Sequence, residues 1–317
     1  MSLIRFDGGG RFAMDAGEPT ASGPQPARPL ARLAKLASRG LQLLVLVLLG
    51  LLAVLYFLQD RMIFPGAATQ GRPEAIVNPQ PGSELIHLTT RSGEPVTALF
   101  GAALSADGSL HPNPKSRPAL VYFYGNAMCL AFCEPEFQRF RRLGLNVLIP
   151  DYLGYGMSGG KVSEAGCRRT GEACLLWLVE RGFTIDDRIV VGGWSLGGAV
   201  AIDLAARWPV AGLFAFSTFT STRDMSHSII PLALPGFLFA HKFESLAKLP
   251  RIACPILLGH GRRDTLVPFS MHGRLAAAVK APLSTFVVEG AEHNDFYDLG
   301  GPQIDESLRR FIDQLPR

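Results

Sequence analysis

Six short, almost unbroken apolar runs punctuate the chain at 118–124 (PALVYFY), 145–150 (LNVLIP), 189–191 (IVV), 210–216 (VAGLFAF), 255–259 (PILLG) and 284–289 (STFVVE). Most are separated by stretches long enough for a helix. Strands with one wet face alternate apolar and polar residues, whereas strands covered on both faces by crossover helices read as continuous apolar runs. The pattern therefore predicts a mainly parallel sheet wrapped by helices. Ahead of it, two alternating runs, SELIHLTT and EPVTALFGAA, flank Arg91-Ser92-Gly93 between Ser83 and Ala103. They predict an antiparallel hairpin at the sheet edge.

A different pattern occupies residues 41–58 (LQLLVLVLLGLLAVLYFL), eighteen residues without a charge. As a helix they would extend ~27 Å, close to the hydrocarbon thickness of a bilayer, which predicts a transmembrane helix over about 40–59. A cleaved signal peptide fits less well. Some 40 residues precede the apolar run, and the weak pair Ala67-Ala68 is its nearest small-residue cleavage site. Arg28, Arg32, Lys35 and Arg39 lie before the run, and only Arg61 and Arg72 are basic in the twenty residues after it. By the positive-inside rule the N-terminus is expected in the cytoplasm and the bulk of the chain on the opposite side, the periplasmic face of the inner membrane in a bacterium. Residues 1–27, rich in Gly, Pro, Ala and Ser without periodicity, are expected to be a disordered tail. With the basic cluster they make a segment over 1–39. The remainder, 60–317, is expected to form one domain.

Composition changes this picture little. At 317 residues and 48% hydrophobic the chain can bury a sizeable core. The net charge of +4 partly reflects the juxtamembrane cluster, which suits anionic lipid and gives no reason to invoke nucleic acid. The five cysteines (129, 133, 167, 174 and 254) have neither paired C-x-x-C spacing nor nearby histidines, so no metal is expected and a disulfide remains open; no cofactor is implied, since the candidate residues below supply their own nucleophile and base.

The chemistry is concentrated in Gly193-Trp194-Ser195-Leu196-Gly197, between the apolar run ending at Val191 and a helix-like run over 199–206. A serine lifted on a tight strand-to-helix turn needs small residues two positions to either side, and the helix that follows aims its free amides and positive dipole end at the serine oxygen. Ser195 is the candidate nucleophile. Asp264, in a polar loop after the run at 255–259, is the candidate acid, with Asp224 after the preceding strand as its rival. His293, between the last strand and the last helix, is the candidate base. The order Ser, Asp, His is that of α/β-hydrolases. Of the other histidines, His260 is expected to brace a turn. His87, His111, His227, His241 and His272 lack the required order or place. The oxyanion donors are expected to be the amides of Leu196 and of Asn126, with Ala127 next, in the loop that follows residue 124.

From about Leu55 to its end, the chain resembles the membrane-anchored α/β-hydrolase-domain-containing serine hydrolases. Besides the three residues above, the resemblance is carried by 59–65 (QDRMIFP), 125–127 (GNA), 151–159 (DYLGYGMSG), 193–200 (GWSLGGAV), 218–221 (TFTS), 254–261 (CPILLGHG) and 290–293 (GAEH). It implies an α/β-hydrolase fold with an eight-stranded, mostly parallel sheet and helices on both faces. It also implies hydrolysis of carboxylic esters or thioesters, since similar proteins include protein depalmitoylases and lysophospholipases. The chain departs from the family pattern at Tyr124, where histidine usually precedes Gly-Asn, and at Trp194, where arginine is common. The second change offers a large apolar surface that suits acyl chains.

Between the strand at 210–216 and Cys254, an insert over about 220–250 contains Ile229, Ile230, Leu232, Leu234, Phe237, Leu238 and Phe239, broken by Pro231 and Pro235. It reads as a short lid, or equally as core packing. The expected activity is that of a membrane-anchored serine esterase or thioesterase acting on long-chain acyl groups through an acyl-enzyme on Ser195, with the acyl substrate and the lipid bilayer as partners. A serine peptidase of the same fold is the alternative, and a non-catalytic membrane scaffold a third reading. No oligomeric state follows from the sequence.

Overall fold

The computed structural model describes residues 29–105, 107–229 and 235–316. The tail read from residues 1–27 lies outside them, as does 230–234 within the insert. The strands are β1 (Ser83–Thr89), β2 (Pro95–Gly101), β3 (Ala119–Phe123), β4 (Asn146–Pro150), β5 (Ile189–Trp194), β6 (Gly212–Phe216), β7 (Ile256–Gly261) and β8 (Leu283–Val288). The helices are α1 (Pro29–Ile63), α2 (Glu134–Arg142), α3 (Glu164–Glu180), α4 (Ile185–Arg188), α5 (Leu196–Ala205), α6 (Thr222–Ile229), α7 (Ser245–Lys248), α8 (Ser270–Ala278) and α9 (Phe296–Asp313).

All eight strands join one sheet in the order β1-β2-β4-β3-β5-β6-β7-β8. β1 and β2 form the edge hairpin in register Ser83↔Gly101, and β2 pairs antiparallel with β4. From β4 onward every pairing is parallel. This is an α/β-hydrolase fold, and the continuous apolar runs have the cause inferred from them. Every residue of β3, β4 and β6 is buried, because α3 and α5 cover one face while α2 and α9 cover the other. Each fully enclosed Leu, Ile, Val or Phe in these strands contributes ~1.5–3 kcal/mol of burial. β5 outlasts its apolar run. Gly192 and Gly193 carry no hydrophobic signal, yet they extend the ladder opposite Phe214 and Ala215 and deliver the chain to Trp194 and Ser195.

The compact unit over 53–317 contains the whole sheet; α1 begins in the other unit. Over Arg32–Ile63, α1 is long and apolar enough to cross a membrane, and none of its most apolar window is buried by protein. Its last turns, which belong to the sheet-bearing unit, are fastened to the far side of the insert. The Gln59 side chain accepts from the Ala240 amide at 2.9 Å, and Asp60 Oδ1 lies 2.8 Å from His241 Nε2. Phe64 follows, fully buried, with its ring edge-on to His241.

Candidate active site

Ser195 stands between β5 and α5 at φ 57° and ψ −119°, a conformation that costs a side-chain-bearing residue on the order of 1–3 kcal/mol. The surroundings hold it there. Its amide donates to the Phe216 carbonyl at 2.8 Å, and the Thr218 hydroxyl donates to its carbonyl at 2.8 Å. The flanking glycines are required by close approach: a Cβ on Gly193 would overlap the Gly197 carbonyl, and one on Gly197 would overlap the Phe123 carbonyl. A larger residue at either place would push the turn off the sheet.

Ser195 Oγ lies 2.9 Å from His293 Nε2, and His293 Nδ1 lies 2.7 Å from Asp264 Oδ2. The three side chains come from the ends of β5, β7 and β8, and all are buried. Asp264 Oδ1 accepts from the Val267 amide at 2.7 Å, which closes the loop after β7 on itself. His260, almost fully buried at the end of β7, points Nε2 at the Val267 carbonyl (2.9 Å) and lies 3.3 Å from Asp264 Oδ2. Burial alone would raise the Asp264 carboxyl. Hydrogen bonds from His260, His293 and the Val267 amide overcome it and hold the carboxyl at about 2, so the group is an anion that fixes the proton of His293 on Nδ1. This is the Ser-His-Asp arrangement of a serine hydrolase.

The loop after β3 begins at Tyr124, whose hydroxyl donates to Asp151 Oδ1 at 2.8 Å. Asp151 is fully enclosed and also accepts from the Leu130 and Met157 amides, although burial still raises its carboxyl. Tyr124 thus supports the loop from below through a phenol–carboxylate bond. The carbonyl of Asn126 accepts from the Gly66 amide and the Tyr155 hydroxyl, which pins the far side of the same loop. Among the described residues the amides of Leu196, Asn126 and Ala127 donate to no protein acceptor.

Asp224 stands elsewhere: it accepts from Thr220 and pairs with Arg274 at 2.9 Å. Among the other histidines, His87 is exposed on β1, His111 accepts from the Asn113 amide, and His227 is exposed in α6. His272 is buried beside His260 and Phe269; burial, with the charges of His260 and Arg262, pushes it down to about 4. Sequence order gave no hint of the bond between His241 and Asp60, and the approach of His260 to Asp264 was also missed. A signal for the second existed, since His260 ends an apolar strand only four residues before the acid. Within the insert, Phe237 is 81% exposed. All five cysteines are free, four of them buried, and among the described residues no three His, Cys, Asp or Glu side chains gather where they could hold a metal.

No model of a known protein family matches the chain. It is 32% identical over 226 residues to the protein bem46 of Schizosaccharomyces pombe, covering 68% of this chain and 72% of that one. To human alpha/beta hydrolase domain-containing protein 17B it is 30% identical over 203 residues, 64% of this chain and 68% of the relative. Among solved structures, the Pyrococcus furiosus esterase Pf2001 superposes with a TM-score of 0.60 at 19% identity, over 76% of this chain and 97% of the esterase. That last likeness is one of fold.

Proposed function

We propose, from the premise that this chain belongs to the α/β-hydrolase family that includes alpha/beta hydrolase domain-containing protein 17B and bem46, that it cleaves long-chain acyl esters or thioesters at a membrane surface. The observation that carries the reading is the unbroken chain from Ser195 Oγ through His293 to Asp264. In it Ser195 is the nucleophile, His293 the general base and acid, and Asp264 the group that orients the imidazole. Ser195 Oγ attacks the acyl carbon as its proton passes to His293 Nε2. The carbonyl oxygen, now an anion, is held by the amides of Leu196 and Asn126. The carbon–oxygen or carbon–sulfur bond breaks, His293 returns the proton to the departing alcohol or thiol, and the acyl group remains on Ser195. Water then repeats the sequence and releases the acid.

Two features support an acyl-lipid substrate. The apolar helix α1 ends where Gln59 and Asp60 grip residues 240 and 241, so the later part of the insert lies beside the expected membrane boundary. Phe237, three residues before that grip, exposes an apolar ring of the kind that interfacial segments bury in a bilayer surface. The corresponding organisation is a cytoplasmic tail through residue 39, a span over 40–59, and a hydrolase domain over 60–317 on the opposite side, with the lid near 220–250. An acyl-protein thioesterase or a lysophospholipase fits this description.

The test is hydrolysis of a chain-length series of aryl esters and thioesters by the full chain in detergent, beside Ser195→Ala. Turnover that depends on Ser195 and rises with chain length is expected. Activity confined to short esters would remove the acyl-lipid reading, and cleavage of peptide amides in preference to esters would replace it with a peptidase. No Ser195-dependent turnover on any of them would overturn the assignment of Ser195.

A further inference from the structure

We propose that Trp194 is a positioning residue for the base: its indole holds the imidazole of His293 against tilting and sets its spacing from the oxyanion loop. The proposal rests on the hydrolase reading above and assigns to this side chain a role other than lining an acyl pocket.

The indole stacks on the His293 ring with centroids 4.8 Å apart and planes inclined by 30°. Hydrogen bonds at Nδ1 and Nε2 fix the imidazole along the line joining Asp264 and Ser195, but they resist rotation about that line only weakly. A ring laid on the imidazole face blocks that rotation. It still allows the small in-plane slide by which Nε2 turns from Ser195 to the leaving group. The same indole reaches the oxyanion loop. A Cβ on Gly125 would lie 2.5 Å from its Cζ3, so only glycine lets the benzo ring rest against the backbone that precedes Asn126. One side chain therefore touches both the base and the loop that carries an oxyanion donor.

The polar end of Trp194 contributes nothing to this. Its Nε1 is buried and donates to no group among the described residues. An unpartnered buried donor is a cost that a phenylalanine would not bear. The position thus uses the aromatic face alone. When His293 becomes an imidazolium during turnover, the same face is an electrostatically favourable neighbour.

The test compares Trp194→Phe, which keeps an aromatic face, with Trp194→Leu and Trp194→Met, which keep bulk without one. Each is made in the full chain and assayed with p-nitrophenyl acetate, butyrate, octanoate and palmitate, after a thermal melt. Trp194→Leu is expected to lose roughly tenfold or more in kcat at every chain length, the scale expected of a misplaced catalytic group, with KM little changed. Trp194→Phe is expected to recover most of the loss. If the leucine variant does not fold, the methionine variant takes its place in the comparison. A loss that grows with chain length and appears in KM would overturn the proposal in favour of an acyl-chain wall, and a phenylalanine variant no better than leucine would overturn it outright. The two readings fail separately. A wild-type chain without Ser195-dependent turnover sinks the hydrolase assignment, whereas an active wild type matched by an equally active leucine variant sinks only the role of Trp194.

Discussion

Asp224 and Asp264 follow neighbouring parallel strands, β6 and β7, and by position alone either is a candidate acid for a base carried after β8. Their surroundings divide them. Asp264 is enclosed, with both oxygens engaged by His293, His260 and the Val267 amide, and its carboxyl is held at about 2. Asp224 is partly exposed and satisfied by Thr220 and by Arg274, itself half in solvent. A buried anion that orients a histidine needs donors arranged to make its charge tolerable, and only the loop after β7 provides them. The loop after β6 instead leads into α6 and the insert.

The sharpest way to break this comparison is to neutralise the two acids in turn. Asp264→Asn is expected to lower kcat about 10⁴-fold with the fold intact, because an amide can favour the wrong tautomer of His293. Steady-state turnover and the melting temperature check it, and activity within an order of magnitude of wild type would return the role to Asp224. His260→Leu comes next. It leaves the Val267 carbonyl unpaired in a buried place, at a cost of ~1–3 kcal/mol in denaturant unfolding. It also removes a bond that holds the Asp264 carboxyl down. A carboxyl with a depressed folded value contributes stability above its unfolded value and loses it as pH falls toward the folded one. In this variant the acid loss should still begin near the unfolded value, about 4, but end at higher pH than the wild type's lower limit near 2, so the total loss is smaller.

His272 sharpens the same contrast from the other side. Its folded value near 4 lies below the ordinary histidine value, so between about pH 6.5 and 4 the unfolded chain binds the extra proton. Stability should fall as pH drops through that window, and His272→Leu should flatten the fall in a melting-temperature series; an unchanged slope would deny the buried neutral state. The smallest effect belongs to Asp224→Asn. It removes a partly exposed ion pair worth ~0–1 kcal/mol and should leave turnover unchanged. A large loss of kcat there would undo the distinction between the loops.

Much of the frame was legible because burial on both faces leaves a direct trace. β3, β4 and β6 are apolar at almost every position, and the alternation in β1 marks an edge, whereas β2, paired on both sides, is nearly all buried. The end of β5 was less legible, since Gly192 and Gly193 extend a strand without adding hydrophobicity. The insert was legible only as apolar. That Gln59 and Asp60 grip it at residues 240 and 241 joins positions 181 apart, and no local pattern records such a contact.

By itself the sequence determined the alternation of strands and helices, the apolar span, and the order in which serine, aspartate and histidine occur, because burial and local turn geometry act on neighbouring residues. Tertiary structure decided which aspartate meets His293, that Trp194 lies on the imidazole, and that His260 backs the acid. Those outcomes depend on side chains from separate strand ends converging within hydrogen-bonding or stacking distance. That convergence is set by the register and twist of the whole sheet, to which no single stretch of chain has access.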